Sequence, residues 1–365
     1  MINRSIIIAA CLIGISFRQD ICPRGQLPGH TQKRIPSVDT LFDSVQPLSI
    51  TLKGNIRELL NDRQDDSKYH PIILSYKNED SSLVSLSVNV KTRGHFRRLK
   101  TNCYYPPLLI QYTNKETQQS IFPTKAKLKL VMPCKSDEYV VREWLVYKIY
   151  NIITPESFKA RLVKVTLQNE KDKLYAPEFF GILLEDEDHM AARNHKIGVE
   201  RKINQEMVNI ESFLKLATFE YLIGNTDWSV EYLQNIKLIA DDSTSLPVAV
   251  PYDFDHAGIV NAPYARPAEE LKLFSVRERR YRGYCIQDMK AFDNIISVYN
   301  NLKDAIYTLY RNNPLLDAKY IKTTVGYLDE FYKTINNPKS LTMDFKYPCD
   351  KNGTGNVIIK GLKRN

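Results

Sequence analysis

The sequence predicts an α+β fold of two lobes, a mostly antiparallel β lobe with one helix followed by a mostly helical lobe. Short apolar runs that alternate with polar residues dominate residues 48–132, and this period of two is typical of strands with one buried face. From residue 209 onward, apolar residues recur every three or four positions, which is typical of amphipathic helices. The 365 residues are 43% hydrophobic and 25% charged, an ordinary globular composition with enough chain for two lobes that share a cleft.

The β lobe is predicted over residues 48–186. Its strand candidates share short alternating or continuous apolar runs and lie at 48–54, 71–77, 83–92, 107–113, 125–132, 161–168 and 179–186. One helix interrupts them, because Ser136 precedes Val141, Leu145 and Ile149 at helical spacing. Thr154, which is followed by a proline, ends this helix.

The helical lobe is predicted over residues 187–365 and contains the candidate catalytic and metal-binding aspartates. It begins with a polar stretch at 187–202, for which no regular structure is expected. Its first helix is capped by Asn209 and ends at Gly224. The later elements, two strands and two amphipathic helices, are predicted at 235–240, 248–254, 288–312 and 316–336.

Residues 1–21 are predicted to be a signal peptide. Arg4 precedes an uncharged run from Ser5 to Phe17, which is too short for a membrane-spanning helix but suits the apolar region of a signal. The sequence around Cys11 also resembles a bacterial lipobox, so a lipid-anchored mature chain is the alternative. Residues 22–47 are expected to be an extended lead-in. The mature protein is therefore expected to be periplasmic, bound to the cell envelope or secreted.

Charge and cysteine content argue against several functional classes. The 51 Lys and Arg residues exceed the 42 Asp and Glu residues by nine, but they are scattered and carry no nucleic-acid-binding signature. We therefore expect no nucleic-acid partner. The six cysteines contain no C-x-x-C and the six histidines no H-E-x-x-H, which argues against a structural zinc site or a zincin protease. Up to two disulfides are expected in an exported chain, but the spacing does not choose the pairs.

Two nearby segments contain the most promising side chains. In residues 224–235, Asp227 follows the predicted end of a helix and Asn235 comes eight positions later. In the second segment, Asp253 and Asp255 are expected on one face of an extended chain, because strand side chains repeat every two residues. Hard oxygen ligands of this kind suit Mg²⁺ or Mn²⁺ with polyphosphate, while a separate carboxylate can orient an acceptor hydroxyl.

This order resembles that of the protein-kinase-like superfamily, and most closely the exported atypical kinases of the spore-coat CotH type, with HipA-like kinases as more distant relatives. The resemblance spans roughly residues 85–310 and implies a protein-kinase-like two-lobed fold. In such kinases a catalytic Asp opens a loop, a metal-binding Asn follows, and a metal-binding Asp begins a D-x-D on the next hairpin. Asp227, Asn235 and Asp253 match that order, and Asp255 completes the D-x-D. The interval from Asp227 to Asn235 exceeds the five positions of protein kinases, so Asn225 is the alternative amide.

The resemblance also assigns residues in the β lobe. Arg93, which precedes a glycine, looks like the R-G of the phosphate loop in CotH-type kinases. Lys127 and Lys129 share one face of a strand that would supply the phosphate-binding lysine, and both remain candidates, with Lys129 preferred. Glu143 would be the helix partner that aligns this lysine. Glu185 lies in a segment that resembles the connection between lobes, where backbone groups would contact a purine. A G-x-G-x-x-G motif is absent from the sequence.

The sequence therefore predicts an exported CotH-like kinase that uses ATP with Mg²⁺ or Mn²⁺ to phosphorylate a hydroxyl of an unidentified protein or small molecule. Asp227 would orient the acceptor, and Asn235, Asp253 and Asp255 would hold metal. A non-catalytic kinase-like envelope protein that recognises a glycan, peptide or protein is the alternative, because a bacterial envelope holds little ATP. A metal-dependent hydrolase that uses Asp253, Asp255 and His256 is a third hypothesis.

Overall fold

The computed structural model describes residues 40–112, 120–122, 127–171, 173–354 and 359. The predicted signal peptide and most of the lead-in lie outside these residues, so both stay predictions. The described residues belong to one compact unit. None of the helices in these ranges is both long enough and apolar enough to cross a membrane.

The fold is α+β, with a sheet-rich N-terminal region and a helical C-terminal region. The strands in the described residues are β1 (Leu48–Gly54), β2 (His70–Lys77), β3 (Leu83–Thr92), β4 (Leu108–Tyr112), β5 (Lys127–Val131), β6 (Ala160–Gln168), β7 (Phe179–Leu184), β8 (Ile197–Gly198), β9 (Ile236–Ala240) and β10 (Val248–Pro251). The α-helices are α1 (Thr40–Asp43), α2 (Ile56–Asn61), α3 (Asp137–Ile153), α4 (Glu187–Arg193), α5 (Ile210–Ile223), α6 (Asp293–Asn301), α7 (Lys303–Arg311), α8 (Ala318–Ile335) and α9 (Pro338–Phe345).

The first seven strands form a closed barrel in the order β1-β2-β3-β4-β5-β7-β6. Neighbouring strands are antiparallel except at the closure, where β1 runs parallel to β6 and Leu48 pairs with Val163. The seven strands confirm the sequence prediction, whereas the closure of the sheet was not predicted. Apolar side chains from every strand fill the interior, and burial of this surface is the main force that favours the barrel.

The register of β5 determines which lysine reaches the candidate site. Leu128 and Leu130 are completely buried in the barrel core, so Lys127 and Lys129 point outward on the other face of the strand. Lys129 pairs with Leu109 on β4 and with Leu184 on β7, and it is only partly exposed. Lys127 lies at the exposed start of the strand.

A second core joins α3 to the helical region. The indole of Trp144 on α3 donates a hydrogen bond to the carbonyl of Ala160 on β6, and α3 also packs against β7 and α7. The prediction for α5 is confirmed at both ends: the Asn209 side chain accepts from the backbone N–H of Ser212, and Gly224 ends the helix in the left-handed conformation.

Four stretches differ from the sequence prediction. Residues 187–202, expected to lack regular structure, contain α4 and β8. The first described residues of the lead-in form α1, and the carbonyls of Leu41 in α1 and of Ser44 just after it accept hydrogen bonds from buried Arg161. The strand predicted at 248–254 ends at Pro251, and the helix predicted near 288–312 divides into α6 and α7 at Leu302. Short elements of this kind depend on tertiary contacts that local periodicity does not record.

Two disulfides are present among the described residues. Cys103 pairs with Cys134, and Cys285 pairs with Cys349. The first closes the segment that follows β3 onto the segment that follows β5. The second ties the loop before α6 to the chain beyond α9, so it encloses the stretch from α6 to α9.

Gly224 provides a test of the geometry that the site requires. Its φ is 67°, and an added Cβ would overlap the hydroxyl of Tyr327. We expect Gly224→Ala to lower the free energy of unfolding by at least about 1–2 kcal/mol, the cost of the left-handed backbone alone. Gly326→Ala is the matched control, because Gly326 lies inside α8 with open space around it; it should raise stability by about 0.5–1 kcal/mol. Urea unfolding of both variants measures the difference, and equal effects would contradict this description.

Candidate functional site

A cavity of about 280 Å³ collects most of the residues that the sequence singled out. Six of the predicted site residues line it: Arg93, Lys129, Asp227, Asn235, Asp253 and Asp255. The side chains come from the segment after β3, from β5, and from the two segments that flank β9 and β10. Residues far apart in the chain therefore meet at one concave surface.

Backbone hydrogen bonds hold together the two segments that contain Asp227 and Asp253. The N–H of Gly258 donates to the carbonyl of Gly224 over 3.1 Å, and the N–H of Ile259 donates to Ile223 over 2.9 Å. Both glycines are required by close packing, because a Cβ on Gly258 would overlap the carbonyl of Val276. The N–H of Tyr252 also donates to the carbonyl of Asn235. The end of α5 thus fixes the segment that contains the D-x-D.

Asp227 and Asn235 form a direct pair. The Asn235 amide donates to the backbone carbonyl of Asp227 over 2.8 Å and to its Oδ2 over 3.1 Å. Burial and the negative charge of Asp253 raise the pKa of Asp227, while His256 and the Asn235 hydrogen bond act in the opposite direction. The alternative amide, Asn225, does not line the cavity, and its Oδ1 accepts from the N–H of Asp227. Asn225 therefore stabilises the loop that contains Asp227 without reaching the cavity.

The D-x-D adopts a conformation other than the expected extended one. Asp253 has a φ of 63° and lies beyond the end of β10, so Asp253 and Asp255 do not share a strand face. The N–H of Asp253 donates to the hydroxyl of Tyr147, and its carboxylate forms no hydrogen bond or ion pair with the described residues. Asp255 is buried and accepts from the Tyr264 hydroxyl over 3.0 Å. Burial and the neighbouring Asp255 raise the pKa of Asp253.

Lys129 and Arg93 are the positive counterparts of these carboxylates. The Lys129 ammonium lies 4.6 Å from the ring centroid of Tyr252, and neither Lys129 nor Arg93 forms an ion pair within the described parts of the chain. Burial lowers the pKa of Lys129 to about 8, and repulsion by Arg93 adds to this shift. Lys127, the other lysine candidate, is exposed and does not line the cavity.

Glu143 has a different partner from the one the sequence suggested. Its Oε2 lies 3.5 Å from Nη1 of Arg97, and no contact with Lys129 is found among the described residues. Burial raises the pKa of Glu143, while the attraction of Arg97 lowers it. The expected lysine–glutamate pair is thus replaced by a buried arginine–glutamate pair, because Lys129 packs on the ring of Tyr252 instead.

Glu185 is also placed differently from its predicted role in cofactor binding. The side chain is completely buried, accepts hydrogen bonds from Arg193 and the N–H of Lys159, and lies 2.9 Å from Nδ1 of His189. Burial alone would raise the pKa of Glu185, but these hydrogen bonds together lower it. Its own N–H donates to the carbonyl of Lys159. Glu185 therefore anchors α4, and Leu184 is the neighbour that reaches the cavity.

Several residues that line the cavity were given no role by the sequence, among them Arg97, Tyr147 and Tyr252. Arg97 lies three residues after the R-G segment, and this proximity was its only available signal. Tyr147 is buried and orients Asp253 through its hydroxyl. Nothing in the sequence distinguishes Tyr147 and Tyr252 from the many tyrosines that pack in the cores.

No protein-family model and no curated protein matches the chain. A solved structure, the crystal structure of a Helicobacter pylori proinflammatory kinase CtkA, is similar to it with a TM-score of 0.41 and 10% sequence identity. The match covers 69% of this chain and 94% of that kinase. At this TM-score the likeness does not establish a shared fold.

The lowered pKa of Lys129 predicts a pH-dependent affinity for anions. Because the ammonium of the free protein loses its proton near pH 8, affinity for inorganic tripolyphosphate should fall as pH rises from 7 to 9, by up to about tenfold per pH unit above the pKa. Lys129→Arg keeps its charge and should flatten this decline. Lys127→Arg, on the same strand outside the cavity, should leave it unchanged. Titration calorimetry measures both, and a decline that persists in Lys129→Arg would assign the titration to another group.

Proposed function

We propose that this chain is an exported, CotH-like kinase that binds ATP with Mg²⁺ or Mn²⁺ and transfers the terminal phosphoryl group to a hydroxyl of a protein or small molecule. The observation that supports this proposal most is that positive and negative side chains without ion-pair partners among the described residues line one cavity. Arg93 and Lys129 lack a carboxylate partner, and Asp253 lacks a cationic one, among the described residues. These side chains are partly buried, and charges withdrawn from water without a partner are costly unless a ligand compensates them. A metal polyphosphate supplies both signs.

The residues present fit a magnesium or manganese ion that is shared with phosphate. The described residues contain no group of three or more His, Cys, Asp or Glu side chains suited to a metal ion. Mg²⁺ in phosphoryl-transfer sites usually takes only one or two protein carboxylates and completes its shell with phosphate oxygens and water. The Asp253 carboxylate and the side-chain Oδ1 of Asn235 would hold such an ion, and Asp255 would assist them. When bound, the metal would neutralise charge on the phosphates.

The remaining side chains have complementary roles in this proposal. Lys129 and Arg93 would attract and orient phosphate oxygens from the barrel side of the cavity. Asp227 would accept a hydrogen bond from the acceptor hydroxyl and take up its proton, and its raised pKa makes it a stronger base than an exposed Asp. The Asn235 amide keeps the Asp227 carboxylate in one orientation.

The non-catalytic alternative also has support from a specific observation. The cavity, at about 280 Å³, lies slightly below the range of about 300–1,000 Å³ that is usual for small-molecule sites. An envelope protein that recognises a glycan, peptide or protein would need no room for a complete nucleotide. Nucleotide binding separates the two functions.

Replacement of the two central carboxylates tests the kinase proposal. Asp227→Asn should lower the rate of phosphoryl transfer by about 10²–10⁴-fold while nucleotide affinity is retained, because only proton transfer is removed. Asp253→Ala should weaken Mn²⁺-dependent binding of ATP. Calorimetric titration of ATP with and without Mn²⁺, together with transfer of labelled phosphate to candidate acceptors, measures both effects.

Asp242→Asn is the matched control, since Asp242 lies in an exposed turn where its carboxylate bonds Thr244 and Ser245. It should change neither binding nor transfer. Full activity of Asp227→Asn and Asp253→Ala would refute the kinase assignment. A folded wild type that binds no ATP at any metal concentration would favour the recognition function.

A further inference from the structure

We propose that Arg97 is a positioning residue that fixes the D-x-D segment and α3 against the cavity, a role that rests on the proposed phosphoryl-transfer function of the site. Arg97 lies in the segment between β3 and β4, four residues after Arg93. The resemblance to known kinases assigned it no role. Its side chain is 7% exposed, so it acts mainly within the protein.

The guanidinium of Arg97 joins three separate segments. Nη1 lies 3.5 Å from Oε2 of Glu143 on α3 and 3.6 Å from Oδ2 of Asp255. Nη2 donates a hydrogen bond of 2.6 Å to the carbonyl of Met132, directly after β5. A planar group with several fixed donors suits such a junction, whereas a lysine ammonium could not reproduce the whole set.

The buried carboxylates around Arg97 explain why its contacts would control the position of the D-x-D segment. Glu143 and Asp255 are both buried, and Asp253 adds a third carboxylate nearby. Without Arg97 these carboxylates would repel one another at low dielectric, and the segment from Asp253 to Asp255 would move toward solvent or take up protons. Within the described ranges, only the Tyr264 hydroxyl would then contact the Asp255 carboxylate.

The surrounding chain keeps Arg97 in place. The N–H of Arg93 donates to the carbonyl of Pro107, and the Cys103–Cys134 disulfide ties the end of the same segment to the residues after β5. The N–H of Tyr104 also donates to the carbonyl of Cys134. Arg97 is therefore held on a fixed segment, and by pairing with Glu143 it leaves Lys129 available to a ligand.

The first experiment measures position without any nucleotide. Hydrogen exchange of the full chain should show faster exchange in residues 253–264 of Arg97→Gln than in the wild type. Arg98→Gln is the matched control, because Arg98 is 9% exposed and bonds Asp65 and the Gln64 carbonyl outside the cavity. It should leave residues 253–264 unchanged. Unchanged exchange there in Arg97→Gln would overturn the inference.

The second experiment measures the effect on metal binding. Replacing a side chain that orients a metal ligand typically lowers metal affinity by about 10- to 100-fold, and we expect this loss for Mn²⁺ with ADP in Arg97→Gln. Arg97→Lys keeps the charge with fewer contacts and should show an intermediate loss, which preserves the test if Arg97→Gln does not fold. In an Asp255→Asn background, Arg97→Gln should cause a much smaller further loss, because both act through the same contact.

These outcomes separate the inference from the proposed function. A wild type that binds no Mn²⁺ with ADP would refute the proposed function, and hydrogen exchange would still decide whether Arg97 positions the segment. A wild type that binds, with equal affinity in Arg97→Gln and Arg98→Gln, would overturn the role of Arg97.

Discussion

The arrangement of the site depends on one backbone crossing, at which Gly258 donates a hydrogen bond to Gly224. It joins the end of α5 to the segment after β10, the two parts of the chain that contain Asp227 and Asp253. Such a crossing requires residues without Cβ atoms. Asn235 and Asp253, in the segments that it joins, also have left-handed backbone conformations. The backbone therefore determines where the two segments of the site lie. The carboxylates occupy positions that α5 and the sheets determine.

Much of the architecture follows from local patterns. β3 has the bounds that its alternation predicted, and α5 begins and ends at its predicted caps, because both signals lie within the element itself. The cavity residues Asp227, Asn235 and Asp253 were identified from their order along the chain. The partner of Glu143 could not be predicted in this way, since Arg97 reaches it only after the barrel has closed and α3 has packed. α4 and β8 were missed because their short polar sequences are stabilised by contacts with distant residues.

Carboxylates of one chemical type have opposite roles in this protein. Glu185 receives hydrogen bonds from Arg193 and the Lys159 backbone, and its charge is fully satisfied inside the fold. Asp253 has a nearby positive field from Arg97 and Arg93 but forms no direct pair with the described residues. The first arrangement stabilises structure, and the second keeps a charge available for a ligand. Sequence distinguishes the two poorly, because each is an acidic residue that closely follows a strand.

The closure of the barrel by β1 and β6 has a consequence for the order of folding. Leu48 pairs with Val163, so the first strand remains without one of its two neighbours until more than half of the barrel sequence, with α3, has been added to the chain. Contacts between residues so far apart carry a large loop-closure cost and slow the folding of β-rich domains. During synthesis, the early strands would therefore expose an unpaired edge. Because β7 follows β6 in the chain and joins β5 to β6, the barrel can close only after both strands have been synthesised, and only then does Lys129 on β5 acquire its neighbour Leu184.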